Sequence, residues 1–376
     1  MKLANPPASV RRQRPPGSGE KRDNPLPHLQ PPHEAVHGVG QSWQKPAAMK
    51  APPLACELLG TLNLSRALRL LCRGTLTSAV VTLALGSPFS VRAQSQQAPA
   101  LPAVNLGDTS FLDGLGAPGW VVEPIGQGVH DNKTLSSIGQ PEPGITDVNS
   151  GSALLHIAWL AHARLFGGWY GVETVLTGAY VDTGGHGIGQ GPGDVTFSPF
   201  ILQWPKHSLF GIPIYQRADF DFDAPLGRYS PDRPVNIGNN AWAINPYYAA
   251  TVYPTKRTET SWRVHYLWNS TNHAPPLDTG DDTTQAGQAI HFNATASYEI
   301  IKNVYVGANG YYLKQITDAR VNAMAVPNAR EQIGGIGPGA VVNRGKWYYY
   351  VNAYHEVGGK NLSEGNKLVL RIEKVW

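Results

Sequence analysis

The chain has 376 residues, of which 15% are charged, 41 are Gly and 31 are Pro. No stretch of about 18 apolar residues occurs, which excludes a transmembrane helix. The net charge of +4 arises in the first 93 residues, which hold 12 of the 31 basic and 4 of the 27 acidic residues. Without them 19 basic and 23 acidic residues remain, net −4, and nothing points to a nucleic-acid partner.

Residues 1–48 are rich in Pro, His, Arg and Gln and have no period. Met49 and Lys50 open a conventional secretory signal. Arg66, Arg69 and Arg73 precede an uncharged apolar run at 76–85, followed by Gly86, Pro88 and the small-x-small site Val91-Arg92-Ala93. Cleavage is expected after Ala93, with translation starting at Met49 and 1–48 a mis-assigned or disordered extension. Cys56 and Cys72 both leave with the signal, so disulfides and thiolate metal sites are excluded from the mature chain. Residues 94–118 are rich in Gly, Pro and Ala and read as a periplasmic lead-in or a plug.

From 119 onward the period is two. Twelve strands are predicted, at 119–130, 152–164, 169–182, 193–204, 212–224, 241–253, 260–270, 287–299, 303–317, 332–343, 347–357 and 365–376. In 260–270, Trp262, Val264, Tyr266 and Trp268 oppose Ser261, Arg263, His265 and Asn269. In 152–164, Leu155, Ile157 and Trp159 oppose His156, His162 and Arg164. Trp169, Trp204, Trp242, Trp268, Trp347 and Trp376 stand near strand ends, as interfacial girdles require. Connections alternate between short (165–168, 205–211, 254–259, 299–302, 343–346) and long (131–151, 183–192, 225–240, 271–286, 318–331, 358–364). That is the outer-membrane pattern.

The last hairpin carries the strongest inference. Trp347, Tyr349, Val351 and Ala353 form one face, and Tyr348, Tyr350, Asn352, Tyr354 and Glu356 the other. The final strand sets Leu368, Leu370, Ile372 and Trp376 against Lys367, Arg371 and Glu373. An amphipathic strand with a free edge needs a partner, and the first strand supplies one. The expected fold is an all-β antiparallel transmembrane barrel over 119–376, delivered to its assembly machinery by the terminal aromatic Trp376 and embedded in outer-membrane lipid.

Certain segments resemble a known family. They are Gly193-Asp194 leading to Pro199 and Trp204, Ala224-Pro225-Leu226-Gly227-Arg228-Tyr229, Asn236-Ile237-Gly238-Asn239-Asn240 with Trp242 and Pro246, and Gly310-Tyr311-Tyr312-Leu313-Lys314-Gln315. Together they resemble the outer-membrane proteins associated with the meta-pathway of phenol degradation. Leu226 stands where that pattern has Thr, and Lys374 where an apolar residue usually precedes the terminal aromatic by two. The resemblance implies passive uptake of small hydrophobic or aromatic compounds and hands over no catalytic residues.

The polar faces supply the predicted solute path: His156, His162, Arg164, Tyr215, Arg217, Asp219, Asp221, Arg263, His265, Tyr348, Tyr350 and Tyr354. Facing charges build a transverse field, and tyrosines stack on planar solutes. Taken singly, each is better explained by packing inside a narrow barrel, and only the set as a whole points to a path. Asp219, Asp221 and Asp223 are expected to pair with Arg or Lys across the lumen, and no metal or other cofactor is expected. The acidic loop 278–282 lacks EF-hand spacing. The glycine-rich stretch 184–193 has no helix after it, so a dinucleotide site is excluded and a mobile loop expected. A barrel hydrolase would need a Gly-x-Ser-x-Gly elbow or a Ser/His pairing, and none stands out, so the chain reads as non-enzymatic. A structural or assembly barrel is the alternative to a channel.

Mass spectrometry of the precursor and of the outer-membrane form tests the leader. The mature chain should begin at Gln94, and peptides from 1–48 would overturn the start at Met49.

Overall fold

The computed structural model describes residues 98–143, 147–185 and 187–376. The extension, the signal and its cleavage site lie outside the described residues. Twelve principal strands form the wall: β1 (Gly119–Leu135), β2 (Val148–Leu165), β3 (Gly168–Asp182), β4 (Val195–Leu209), β5 (Ile212–Asp219) and β6 (Tyr247–Val252). They continue as β7 (Thr258–Asn269), β8 (Ala289–Ile301), β9 (Val304–Gln315), β10 (Gln332–Arg344), β11 (Trp347–Lys360) and β12 (Leu362–Val375). Each pairs antiparallel with its sequence neighbours. β12 pairs with β1 from Val121↔Val375 to Leu135↔Leu362, so the sheet is closed.

The ladders run further than the apolar periodicity. The expected long loop at 358–364 is a single residue, Asn361, between β11 and β12. The expected mobile loop at 183–192 contains a short strand, Ile188–Pro192, which folds back on β3. Polar, glycine-rich segments give no amphipathic signal, yet their backbones pair as readily as any other. At the other end the turns are tight. Phe166 and Phe210 have φ of 50°, followed by Gly167 at 80° and Gly211 at 83°. That is the left-handed pair of a type I′ hairpin.

The strand predicted at 212–224 is interrupted. β5 stops at Asp219 and resumes as Phe222–Ala224. The strand predicted at 241–253 is likewise split into Ala243–Ile244 and β6, with Asn245 and Pro246 between. Pro246 has no N–H for the ladder. The two breaks adjoin, with Asn245 N–H donating to the Asp221 carbonyl at 2.9 Å.

Alternation separates the faces as expected. Leu176, Val264, Ile290, Val351, Leu368 and Leu370 lie exposed on the outside, where lipid is the solvent. Trp120, Trp347 and Trp376 form part of the short-turn girdle. Trp169 departs from the expected girdle: it pairs with Gln203, which faces the lumen. The departure at Lys374 is explained here. Its ammonium stands 4.3 Å from the centre of the Trp376 ring and 5.0 Å from that of Trp347. A long stem with a cationic tip suits an interfacial aromatic belt.

Asp194 gathers the segments that carry the family resemblance. Its Oδ1 accepts from Gly227 N–H at 2.9 Å, and its Oδ2 from Asn239 N–H and Asn239 Nδ2 at 2.9 Å each. Gly227 permits this approach, since a Cβ there would lie 2.7 Å from Asp194 N. Asp194→Ala strips three donors of a charged acceptor, each worth about 1.5–3 kcal/mol. Limited proteolysis should cut the 225–240 loop of this variant faster, while the heat-modifiable barrel band stays unchanged.

Candidate solute path

The chain's own leading segment lies against the inward-facing side chains of the barrel. Residues 98–118 run from the long-loop end to the short-turn end. Near the long loops, Leu101 N–H donates to Glu331 at 3.1 Å. Midway, Gly107 N–H donates to Asn293 Oδ1 at 2.8 Å, and the Tyr354 hydroxyl donates to the Gly107 carbonyl at 2.8 Å. Lower down, Leu112 N–H donates to Glu259 and Gly114 N–H to Thr251. Phe111, fully buried, packs with Val341 and Tyr350, with Tyr348 at the margin. The strand side chains satisfy the backbone groups of a segment without regular structure, as burial requires.

Two buried ion pairs hold the plug's acids. Arg263 grips Asp113 through Nε at 2.9 Å and Nη2 at 2.5 Å. Lys367 Nζ meets Asp108 Oδ1 at 2.8 Å and also donates to the Leu106 carbonyl. A further network joins β1, β2, β3 and β12. His156 Nδ1 stands 3.0 Å from Glu123, its Nε2 3.2 Å from Glu173, and Arg371 Nη1 3.2 Å from Glu123.

The predicted path residues therefore separate into groups. Arg217 donates to Gln203 Oε1 and to the Leu115 carbonyl, both at 2.9 Å. The Arg263 guanidinium also lies 4.0 Å from the Tyr247 ring centre, and that of Arg371 3.7 Å from the Tyr350 ring centre. His265 stacks on His291, with centroids 4.2 Å apart and planes at 12°. Tyr215 meets Tyr253 edge-on, and Tyr348 stacks along Tyr350. Tyr354 touches Tyr311 at 4.9 Å. Most of these side chains hold the plug or one another.

His162 and Arg164 do not join this set. They lie in the segment of β2 beyond the register shift after Leu160 and are exposed near the short turn, with Arg164 5.5 Å from the centre of the Trp169 ring. The period of two carries no information about where a strand leaves the membrane.

Asp219, Asp221 and Asp223 correct a second expectation. Among the described residues none closes an ion pair with Arg or Lys. Arg217 and Arg263 are committed elsewhere, and Asp223 accepts from the Thr196 hydroxyl. Asp219 and Asp221 gather with Glu173 instead, ligand atoms within 4.8 Å of one another.

Glu123 and Glu173 were missed from sequence although both occupy inward positions of their strands. Their signal was the alternation itself, interrupted by Pro124 beside Glu123 and diluted by Gly171 and Thr174 around Glu173. The plug residues Asp108, Phe111 and Asp113 lie outside any period.

A shallow recess of about 300 Å³ lies against the wall at the break before β6, where Tyr247 still pairs with His265 and Asp219. It is lined by Pro246, Tyr247, Tyr248, Val264, His265, Tyr266 and Ile290. Tyr247 and His265 belong to the lumen face, and Tyr248, Val264, Tyr266 and Ile290 to the lipid face.

The family model described as "Putative MetA-pathway of phenol degradation" matches residues 133–372. The COG4313 outer membrane channel from Pseudomonas putida F1 superposes with a TM-score of 0.62 at 14% identity, over 73% of this chain and 100% of that one. The TodX deltaS2S3 mutant monoaromatic hydrocarbon channel is a more distant barrel, with a TM-score of 0.40 at 7% identity, over 71% of this chain and 92% of that one. No curated protein matches the chain.

Removing one partner of a buried ion pair costs about 3–5 kcal/mol. Asp113→Ala should loosen the plug, and planar-bilayer recordings should show higher and noisier ion conductance than for the native chain. Deleting 98–116 should raise conductance further.

Proposed function

The chain belongs to this phenol-degradation family, and from that premise we propose that it is an outer-membrane channel for passive uptake of small hydrophobic or aromatic compounds. The observation that carries the reading is a leading segment held inside the barrel beside a shallow recess at a break in the wall. The plug and its ion pairs stand in the way of a hydrated solute. The recess at Pro246 is predominantly aromatic and aliphatic, and its volume falls at the lower end of small-molecule sites, which run to about 300–1,000 Å³. A planar apolar solute would be caught by the long loops. It would then pass the Tyr247 and His265 side of the wall and leave beside Tyr248, Val264 and Ile290 into the apolar phase. No energy coupling and no bond chemistry are needed.

The Tyr-rich inward face, with Tyr215, Tyr348, Tyr350 and Tyr354, supports affinity for flat solutes once the plug shifts. His156, Arg217, Asp219, Asp221, Arg263 and His265 would set the charge selectivity of any aqueous leak. His162 and Arg164 would act at the short-turn exit. Trp376 would serve as the assembly signal read by the barrel-assembly machinery, after a signal peptide ending near Ala93 has been removed. A non-transporting structural barrel is the second reading, favoured by the same plug. A fluorophosphonate probe that labelled the folded barrel would revive the hydrolase reading.

The test is flux and growth together. Refolded protein from Gln94 to Trp376 is placed in liposomes, and influx of a sugar and of an amino acid of comparable size is followed. Growth of the host without this protein is measured on limiting phenols or aromatic acids. Little flux of either solute with a growth defect on aromatics is the expected result, and Ile290→Trp, which fills the recess, should reproduce the defect. Equal flux of sugar and amino acid would mean a general pore. No flux and no defect would leave the structural reading.

A further inference from the structure

We propose that Glu173, Asp219 and Asp221 form a buried site for a divalent cation of the calcium or manganese class. The three side chains come from β3, the end of β5 and the break that follows it. β4 lies between, pairing Glu173 with Ser198 and Asp219 with Ile201. One carboxylate oxygen from each stands within 4.8 Å of the others. Bonds from calcium to oxygen are about 2.3–2.6 Å, so two ligands on opposite sides of the ion are about 4.6–5.2 Å apart. The observed spread fits that sphere. It is wide for magnesium, whose bonds are about 2.0–2.1 Å.

A second observation is independent of the cluster. Tyr247, cross-strand partner of Asp219, is 4% exposed, and its hydroxyl faces Arg217 and Asp219 without closing a short hydrogen bond to either. That hydroxyl stands beside Asp219 and Glu173. Both oxygens of Asp219 and one of Asp221 are likewise buried without a donor. The hydroxyls of Ser198 and Tyr247 both face Asp219, too far for a close hydrogen bond, and that of Ser198 accepts from Phe200 N–H. Native interiors seldom leave so many polar atoms unsatisfied in one place. The neighbouring cations are already engaged: His156 bridges Glu123 and Glu173, Arg263 holds Asp113, and Arg217 donates to Gln203 and Leu115. Arg217 and Arg263 act on these carboxylates only from a distance, and two adjacent buried carboxylates with no ion pair of their own are costly. A hard divalent ion takes oxygen ligands and supplies the counter-charge. It would pin β3 to the broken β5 beside the wall recess.

The folded mature barrel in detergent, stripped with chelator, is titrated with Mn²⁺ and followed by electron paramagnetic resonance, with Ca²⁺ as competitor. The expected result is one bound equivalent displaced by Ca²⁺. The Asp219→Asn/Asp221→Asn variant should lose at least about tenfold in affinity, the least that even second-shell changes typically cost. Its heat-modifiable band shows whether it is folded. In the native chain Ca²⁺ should raise the melting temperature, and in the variant it should not. No saturable Mn²⁺ binding by the folded native chain at millimolar concentration would overturn the proposal and assign protons to these carboxyls. Binding that survives in this variant but is lost in Asp281→Asn/Asp282→Asn would overturn it in favour of the acidic loop.

Discussion

Everything in this structure depends on the ladder between β1 and β12. In lipid an unpaired N–H or C=O costs several kcal/mol, and only a helix or a closed sheet leaves none. The pairing from Val121↔Val375 to Leu135↔Leu362 removes the last two edges at once. Once the sheet is closed the alternation has only one arrangement, with Leu368 and Leu370 outward and Lys367, Val369 and Arg371 inward. The inward set then needs company, because buried charge without a partner is more costly than the fold could bear.

The leading segment provides that company. Asp108 and Asp113 take up Lys367 and Arg263, and the plug's backbone groups take up Asn293, Glu259 and Thr251. Plug and wall are mutually satisfying, so neither surface can be read alone. The Pro246 break sets a largely apolar, shallow recess against the wall.

Much of this was legible in the sequence. The twelve strands, the in-and-out assignment of the closing hairpin and the short-turn side followed from a period of two and from tight turn residues. The lumen positions of Arg263, His265, Tyr350 and Tyr354 followed from the same count. His162 and Arg164 obey the alternation but lie where the strand has left the membrane. Loop lengths were overestimated at 358–364 because a polar ladder has no apolar signature. Lys374 breaks the apolar pattern of the last strand, and only the fold sets its ammonium against Trp347 and Trp376.

By itself the sequence determined the barrel, because alternation, girdle aromatics and an amphipathic final strand are local properties of the chain. It also determined the inward parity of the clearly alternating strands, though not of Glu123, Glu173 or Trp169. Only the tertiary structure decided what those side chains meet. Partners such as Asp113 with Arg263, or Glu173 with Asp219 and Asp221, are separated by many residues and brought together by closure and by the breaks at Phe220–Asp221 and Asn245–Pro246. Long-range pairing depends on strand stagger and on the path of an aperiodic plug, and neither leaves a trace in the order of residues along one strand.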